Sequence, residues 1–206
     1  MVTTVGHPLA GHLLAGLRDR DTPPELFRTL TRRLTTVLIL EATSDLDAEE
    51  ISVPTPLEET SGRKLAQPLA AVPVLRAGLG MLDAVVDLFP EVRVGYIGLE
   101  RDEATFEAAQ YYSKLPKVDD AYVILLDPML ATGGSAAAAL RALKGAGAKK
   151  PRMVSVVAAP EGIKAIEEAH PDVEIYTAAV DRELNRKAFI LPGLGDFGDR
   201  LYGTQQ

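Results

Sequence analysis

YVILLDPMLATGGSAAAALRAL, residues 122–143, begins with a short apolar run and ends in an alanine-rich one. Tyr122–Leu126 has the length and composition of a buried strand, and residues 135–143 have high helix propensity. Between them stands Asp127-Pro128-Met129-Leu130-Ala131-Thr132-Gly133-Gly134-Ser135. The two glycines let the backbone approach a ligand closely, and Thr132 and Ser135 add hydroxyl donors. Free N–H groups at the helix start, together with the helix dipole, favour an anion there. A plain strand-to-helix turn, with Ser or Thr only capping the helix, reads the same residues structurally. Asp127 favours the functional reading, because its carboxylate at the strand end is placed to accept hydrogen bonds from sugar hydroxyls. A nucleoside-triphosphate loop is excluded: that pattern wants Lys after its last Gly, and here Ser135 and Ala136 follow. An anion site without that lysine points to a phosphate monoester rather than a transferred terminal phosphate.

The alternation of short apolar runs with helical segments continues on both sides. Leu69–Leu75 reads as a buried strand, with Gly78 and Gly80 opening a helix through Leu88. Residues 92–99 predict the next strand. Gly145 and Gly147 end the helix over 135–143. Residues 153–158 predict a strand, 162–169 a helix and 173–178 a last strand. Continuous apolar strands separated by helices indicate an α/β architecture, a parallel sheet covered on both faces. Ligands in such sheets bind beyond the carboxyl ends of the strands, so the loops at Arg76, Arg101, Asp127 and Pro160 are the places to inspect. Upstream, Leu9, Leu13, Leu14 and Leu17, then Phe27, Leu30, Leu34, Val37 and Leu38, recur at helical spacing. Asp21-Thr22-Pro23-Pro24 separates these two helices. Residues 51–67, with Pro54 and Pro56, read as irregular.

Composition narrows the chemistry. The 206 residues fit one domain, numbered 1–206, able to bury a sizeable core. With no cysteine, disulfides, thiolate metal sites and a cysteine nucleophile are all excluded. His7, His12 and His170 are the only histidines and are scattered, which argues against a histidine metal centre or a catalytic triad. A net charge of −7 opposes broad nucleic-acid binding, while leaving room for a local basic pocket. Asn185 is the only asparagine. Depletion of thermolabile residues fits a thermophilic source, although a GC-rich genome biases composition the same way. No apolar run reaches membrane-helix length, and the first ten residues lack the features of a signal peptide. A cytoplasmic location is expected.

Asp127 to Ser135 resembles the loop that binds 5-phosphoribosyl 1-diphosphate (PRPP) in uracil phosphoribosyltransferases, whose Asp-Pro start is more particular than the paired acids of other phosphoribosyltransferases. The resemblance runs nearly the length of the chain. His7-Pro8-Leu9, Leu17-Arg18-Asp19, Arg33-Leu34-Thr35 and Glu41-Ala42-Thr43 resemble the family's N-terminal helices. The stretch from Val72 to Met81, with Arg76-Ala77-Gly78, resembles its pyrophosphate-side loop. Tyr96 to Glu103 and Tyr111 to Pro116 resemble its flexible flap, and Leu191 to Arg200 its uracil-binding segment.

The resemblance implies a phosphoribosyltransferase core over roughly 65–180, flanking helices, a flap, and a small hood built from the terminal segments, with 181–206 supplying the base site. Arg76, Arg101, Asp127 and Asp196 are its expected catalytic residues. PRPP is expected at Arg76, Arg101, Asp127, Pro128, Met129, Leu130, Ala131, Thr132, Gly133, Gly134, Ser135 and Asp196. Uracil is expected at Ile190, Gly195, Asp196 and Phe197. Phe197 stands where many members carry a small residue, which would alter the pocket's volume. The products would be UMP and pyrophosphate. Mg²⁺ would arrive on PRPP, with no protein-only metal cage. A homodimer or larger assembly, GTP activation in some members, and a cis peptide bond near Leu75–Arg76 are also implied. Arginines at strand ends suit pyrophosphate, although Arg101 has acidic neighbours able to pair with it. Gly193-Leu194-Gly195-Asp196-Phe197-Gly198 fits a dinucleotide fingerprint literally, but Pro192 and the nearby chain end deny it the required context. Two rival readings remain: transfer to another base such as a purine, and a PRPP- or nucleotide-sensing regulator that binds RNA.

Overall fold

Alternation along the buried strands sends successive side chains to opposite faces of one sheet, and each face has its own helical cover. The structure, a computed structural model, describes residues 1–101 and 108–204, with backbone only at 100, 101 and 108–110. The chain runs β1 (Val2–Thr4), α1 (Pro8–Arg18), α2 (Pro24–Ala42), β2 (Ala48–Pro54), β3 (Glu59–Leu65), β4 (Leu69–Leu75) and α3 (Leu79–Leu88). It continues through β5 (Arg93–Val94), β6 (Tyr96–Arg101), β7 (Ala108–Lys114), β8 (Tyr122–Leu126), β9 (Met129–Leu130) and α4 (Gly134–Gly145). The last third holds β10 (Arg152–Ala158), α5 (Pro160–Ala169), β11 (Glu174–Val180), β12 (Glu183–Leu184), β13 (Ile190–Leu191) and α6 (Phe197–Tyr202).

The main sheet has the order β1-β11-β10-β8-β4-β6-β7, with β5 beside β4 and β9 beside β10. Its pairs are parallel except β6 with β7. Ile124 and Leu126 enter a core with Leu17, Leu34, Leu38, Met81 and Val85 from α1, α2 and α3. Their neighbours Val123 and Leu125 enter the opposite core with Leu140 and Leu143 of α4 and Ile166 of α5. A strand buried on both faces reads as a continuous apolar run for this reason.

One topological feature positions the site. Strands β4 and β8 are paired neighbours, from Leu69↔Tyr122 to Pro73↔Leu126. From β8 the chain passes through α4 to β10 on one side; from β4 it passes through α3 to β5 and β6 on the other. The two connections diverge, so a crevice opens beyond the carboxyl ends of this pair.

Two sequence expectations need correction, and one strand had no signal. Residues 51–67 are not irregular: β2 and β3 pair antiparallel from Ala48↔Leu65 to Pro54↔Glu59. This hairpin contributes to neither core and leaves Leu57 at its tip 95% exposed, so its residues carry little apolar patterning to read. Thr55 closes its turn, with Oγ accepting from the Leu57 and Glu58 amides. Residues 92–99 are two strands, split at Gly95, whose N–H donates to Ala71 O and where a Cβ would meet Pro116 at 2.7 Å. Val2–Thr4 forms an edge strand on β11 too short for periodicity to reveal.

Candidate active site

Strand β8 delivers Asp127 to the crevice. The Asp127 amide donates to Val154 O, and Ser155 Oγ donates to Asp127 O at 2.6 Å, so β10 holds the backbone on both sides. Burial pushes the Asp127 carboxyl up to about 6, partly offset by the Met129 amide that it accepts. Part of its surface stays open toward the crevice. A carboxylate this poorly hydrated gains more from hydroxyl donors than an exposed one would.

Met129 and Leu130 pair with Val157 and Ala158, bringing the chain back along β10 before it turns into α4. The turn is jammed from beneath. Gly133 has φ 83°, and a Cβ there would meet Ala165 Cβ at 2.9 Å. A Cβ on Gly162 of α5 would meet Ala131 O at 2.4 Å. Both glycines let α5 support the loop from below. Gly134 differs, because a Cβ there has only Thr132 Oγ at 3.8 Å for company. Its open side faces the crevice, where the first turn of α4 presents amides to an anion.

The opposite wall is the loop after β4. Its Leu75–Arg76 peptide bond is cis, as the family resemblance implied. Gly78 brings this loop against β8, since a Cβ there would fall 2.4 Å from Leu126 O. Tyr202 Oη donates to Arg76 O at 3.1 Å. Together the walls enclose a cleft of about 190 Å³ lined by Arg76, Asp127, Thr132, Gly133, Gly134 and Ser135, among others. Met129, Leu130 and Ala131 also line it, whereas Pro128 is buried behind them. Arg101 ends β6, on the far side of β4, and its side chain lies outside the described residues. Larger hollows of about 580 and 680 Å³ lie at the foot of the β2–β3 hairpin and between α1 and α2. Neither combines an acid at a strand end with helix-start amides, so the small cleft is the better chemical site.

The terminal segment lies beside this cleft rather than in it. Ile190, Gly195, Asp196 and Phe197 are absent from its lining. Helix α6 links the two, through Tyr202 on Arg76 and through Leu201 against Gly80, where a Cβ would fall 2.6 Å from Leu201 Cδ. Ile190 is buried in the core, while Gly195 and Asp196 are exposed. Asp196 caps α6, its Oδ1 accepting from the Asp199 amide at 2.9 Å. The Phe197 ring packs into the core. It is buried edge-on against Phe27, with centroids 5.1 Å apart, so only its backbone faces the segment's open side. Of the fingerprint-like glycines, Gly193 and Gly195 precede a helix of six residues and Gly198 lies within it.

Sequence reasoning gave no role to three charged residues in or around this segment, Arg18, Asp181 and Arg200, although Arg18 and Arg200 fall within stretches of family resemblance. Each bonds to residues far along the chain, at separations up to 183 residues. Each stands at or near an element's end beside another charged residue (Asp19, Arg182 and Asp199), so nothing local separates it from an ordinary surface charge or names its partner.

A glycine-rich strand-to-helix loop, an acid before it and an arginine loop facing it across a sheet switch point together define an α/β phosphoribosyltransferase site. The fold is shared with a hypoxanthine phosphoribosyltransferase from Staphylococcus aureus at a TM-score of 0.52 and 14% identity, over 75% of this chain and 74% of that one. The solved structure of the AQ2163 protein from Aquifex aeolicus is far more similar, with a TM-score of 0.96 and 41% identity over 100% of this chain and 99% of that one. The uracil phosphoribosyltransferase family model matches residues 4–204. A uracil phosphoribosyltransferase from Clostridium botulinum is 48% identical over 206 residues, 99% of each chain. The chain belongs to the uracil phosphoribosyltransferase family.

Proposed function

We propose that this enzyme transfers the 5-phosphoribosyl group of PRPP to uracil, giving UMP and pyrophosphate, a step of pyrimidine salvage. The observation that carries the reading is the single cleft in which Arg76 and Asp127 face Ala131 to Ser135. The loop and the start of α4 hold the 5-phosphate as a fixed anchor. Asp127 accepts hydrogen bonds from the ribose hydroxyls, and its charge favours the positive character that develops on the ribose. Arg76, with Arg101, neutralises the departing pyrophosphate. A uracil ring nitrogen attacks the anomeric carbon from the face opposite the leaving group. Positioning and charge stabilisation then supply most of the acceleration.

The base is read by the segment holding Ile190, Gly195, Asp196 and Phe197. Backbone N–H and C=O groups match uracil's carbonyls and ring N–H, whereas cytosine's amino group would set a donor against a donor. Asp196, with Oδ1 engaged as a cap, orients this segment and helps manage the nitrogen's proton, directly or through water. Magnesium enters on the substrate. Among the described residues no three His, Asp or Glu converge, and Asp127 is a lone acid in the cleft, a donor set suited to Mg²⁺ already held by phosphates and water. A cytoplasmic location is part of this reading, and the family resemblance adds a homodimer or larger assembly with GTP as a candidate activator. Among the described residues no helix is long and apolar enough to cross a membrane.

The test is pyrophosphate release from Mg-PRPP with uracil, cytosine, hypoxanthine, adenine and orotate offered separately. Turnover with uracil alone is expected. Turnover with a purine would keep the PRPP site and overturn the base assignment. PRPP binding without turnover on any base would favour a regulator.

A further inference from the structure

The base segment is gripped at its backbone by charges from distant parts of the chain. Arg18, in the last turn of α1, pairs bidentately with Asp181, just beyond the carboxyl end of β11, at 2.6 and 2.9 Å. The same pair holds both polar groups of Gly193. Arg18 Nη1 donates to Gly193 O at 2.7 Å, and the Gly193 amide donates to Asp181 Oδ2 at 2.9 Å. The Asp181 side chain is only 4% exposed. Its own amide donates to Ala158 O, so the anchor belongs to the end of the main sheet. Gly193 has φ 59°, and a Cβ there would lie 2.1 Å from Ile190 O, so glycine is required in this grip. The next carbonyl is held too: Arg200 Nη1 donates to Leu194 O at 2.8 Å while its guanidinium lies over the Phe27 ring. Gly195, the first residue after these two, is exposed.

This arrangement is hard to explain as stabilisation alone, because a buried ion pair returns little over an apolar replacement. It is well suited to precision. A base read by backbone groups has no side chain to adjust, so its recognition is only as accurate as the backbone is fixed. We propose that Arg18 and Asp181 are positioning residues for base selection, locking Gly193 so that the peptide groups following it stand in register with uracil. This rests on the reading of residues 190–197 as the base site.

The experiment uses the full-length enzyme carrying Asp181→Asn, which keeps the shape but removes the charge, or Arg18→Lys, which keeps the charge but removes the fork. Folding is checked by circular dichroism, and Arg18→Lys serves if Asp181→Asn fails to fold. The KM for uracil should rise about ten- to hundredfold, with the KM for PRPP within about twofold of wild type. The preference for uracil over cytosine should narrow in parallel. A merely structural role would reduce the amount of active enzyme and leave both KM values unchanged. That outcome, or an equal rise in both, overturns the proposal. Wild type separates the two readings: if it does not use uracil, the base site itself is wrong, whereas uracil turnover with unaltered variants sinks only the clamp.

Discussion

Gly133 and Gly134 are adjacent, yet they serve different ends. Gly133 needs its left-handed φ and has α5 pressed against it, so any side chain there disturbs the fold. Gly134 has open space, so Gly134→Val should fold with stability within about 1 kcal/mol of wild type while filling the anion's place. Calorimetric titration should then show PRPP binding weakened by more than about a hundredfold; normal binding would remove the loop from the site. Asp127 poses a second question at this scale. Its carboxyl is raised to about 6 from an ordinary 3.8. A raised acid favours the folded state below the unfolded value, and that benefit is lost as pH climbs through the folded value. Above pH 6 the wild type therefore carries a penalty of up to about 3 kcal/mol, limited by the part of the group that meets solvent. Asp127→Asn should be the more stable protein at pH 8, with the difference fading toward pH 4, as followed by urea denaturation across that range. Its turnover should fall about ten- to a hundredfold, because the charge serving the ribose is gone.

Helix α5 acts on substrate through an element it only supports. Gly162, in its first turn, sits under the carbonyls of Leu130 and Ala131, with no room for a methyl group. Gly162→Ala must push the helix or the loop aside, because the obstruction is backbone. A loss of about 1–3 kcal/mol is expected, measured by thermal unfolding. The KM for PRPP should rise more than the KM for uracil, since Gly162 presses on the loop itself, whereas α5 reaches the terminal segment through Glu161 Oε1, which accepts from the Leu184 amide of β12. An unchanged PRPP KM would mean that the loop is held well enough by β9 and β10. At this same scale the β2–β3 hairpin was missed. Sequence pattern reports burial, and an arm that buries little has little pattern to show.

As a whole, the molecule carries a net charge of −7, and the groups proposed to bind PRPP, Arg76 and the Ala131 to Ser135 loop, share one small cleft. Long-range attraction to a polyanion is therefore opposed, while a small phosphate ester is received locally by amides and a guanidinium. Retention of single-stranded RNA in a filter assay should be negligible even at low salt, whereas PRPP should bind. Tight RNA binding with a steep salt dependence would revive the regulator reading. The cleft itself follows from connectivity, because β4 and β8 are neighbours whose following helices leave to opposite sides of the sheet.

Much of this was already legible in the chain. The apolar runs became β4, β8, β10 and β11 with ends shifted by at most a residue or two, because a strand buried on both faces can contain little else. The place of the Asp127 to Ser135 loop between a strand and a helix was legible because an apolar run, paired glycines and an alanine-rich stretch follow one another there. Tertiary structure alone decided that Phe197 turns into the core, that α5 presses on Gly133 while Gly134 is left open, and that Arg18 and Asp181 close on Gly193. Local pattern records how hydrophobic a position is and how often such positions recur. It carries no record of direction or of partners more than 160 residues away, and both are settled only when the sheet brings those ends together.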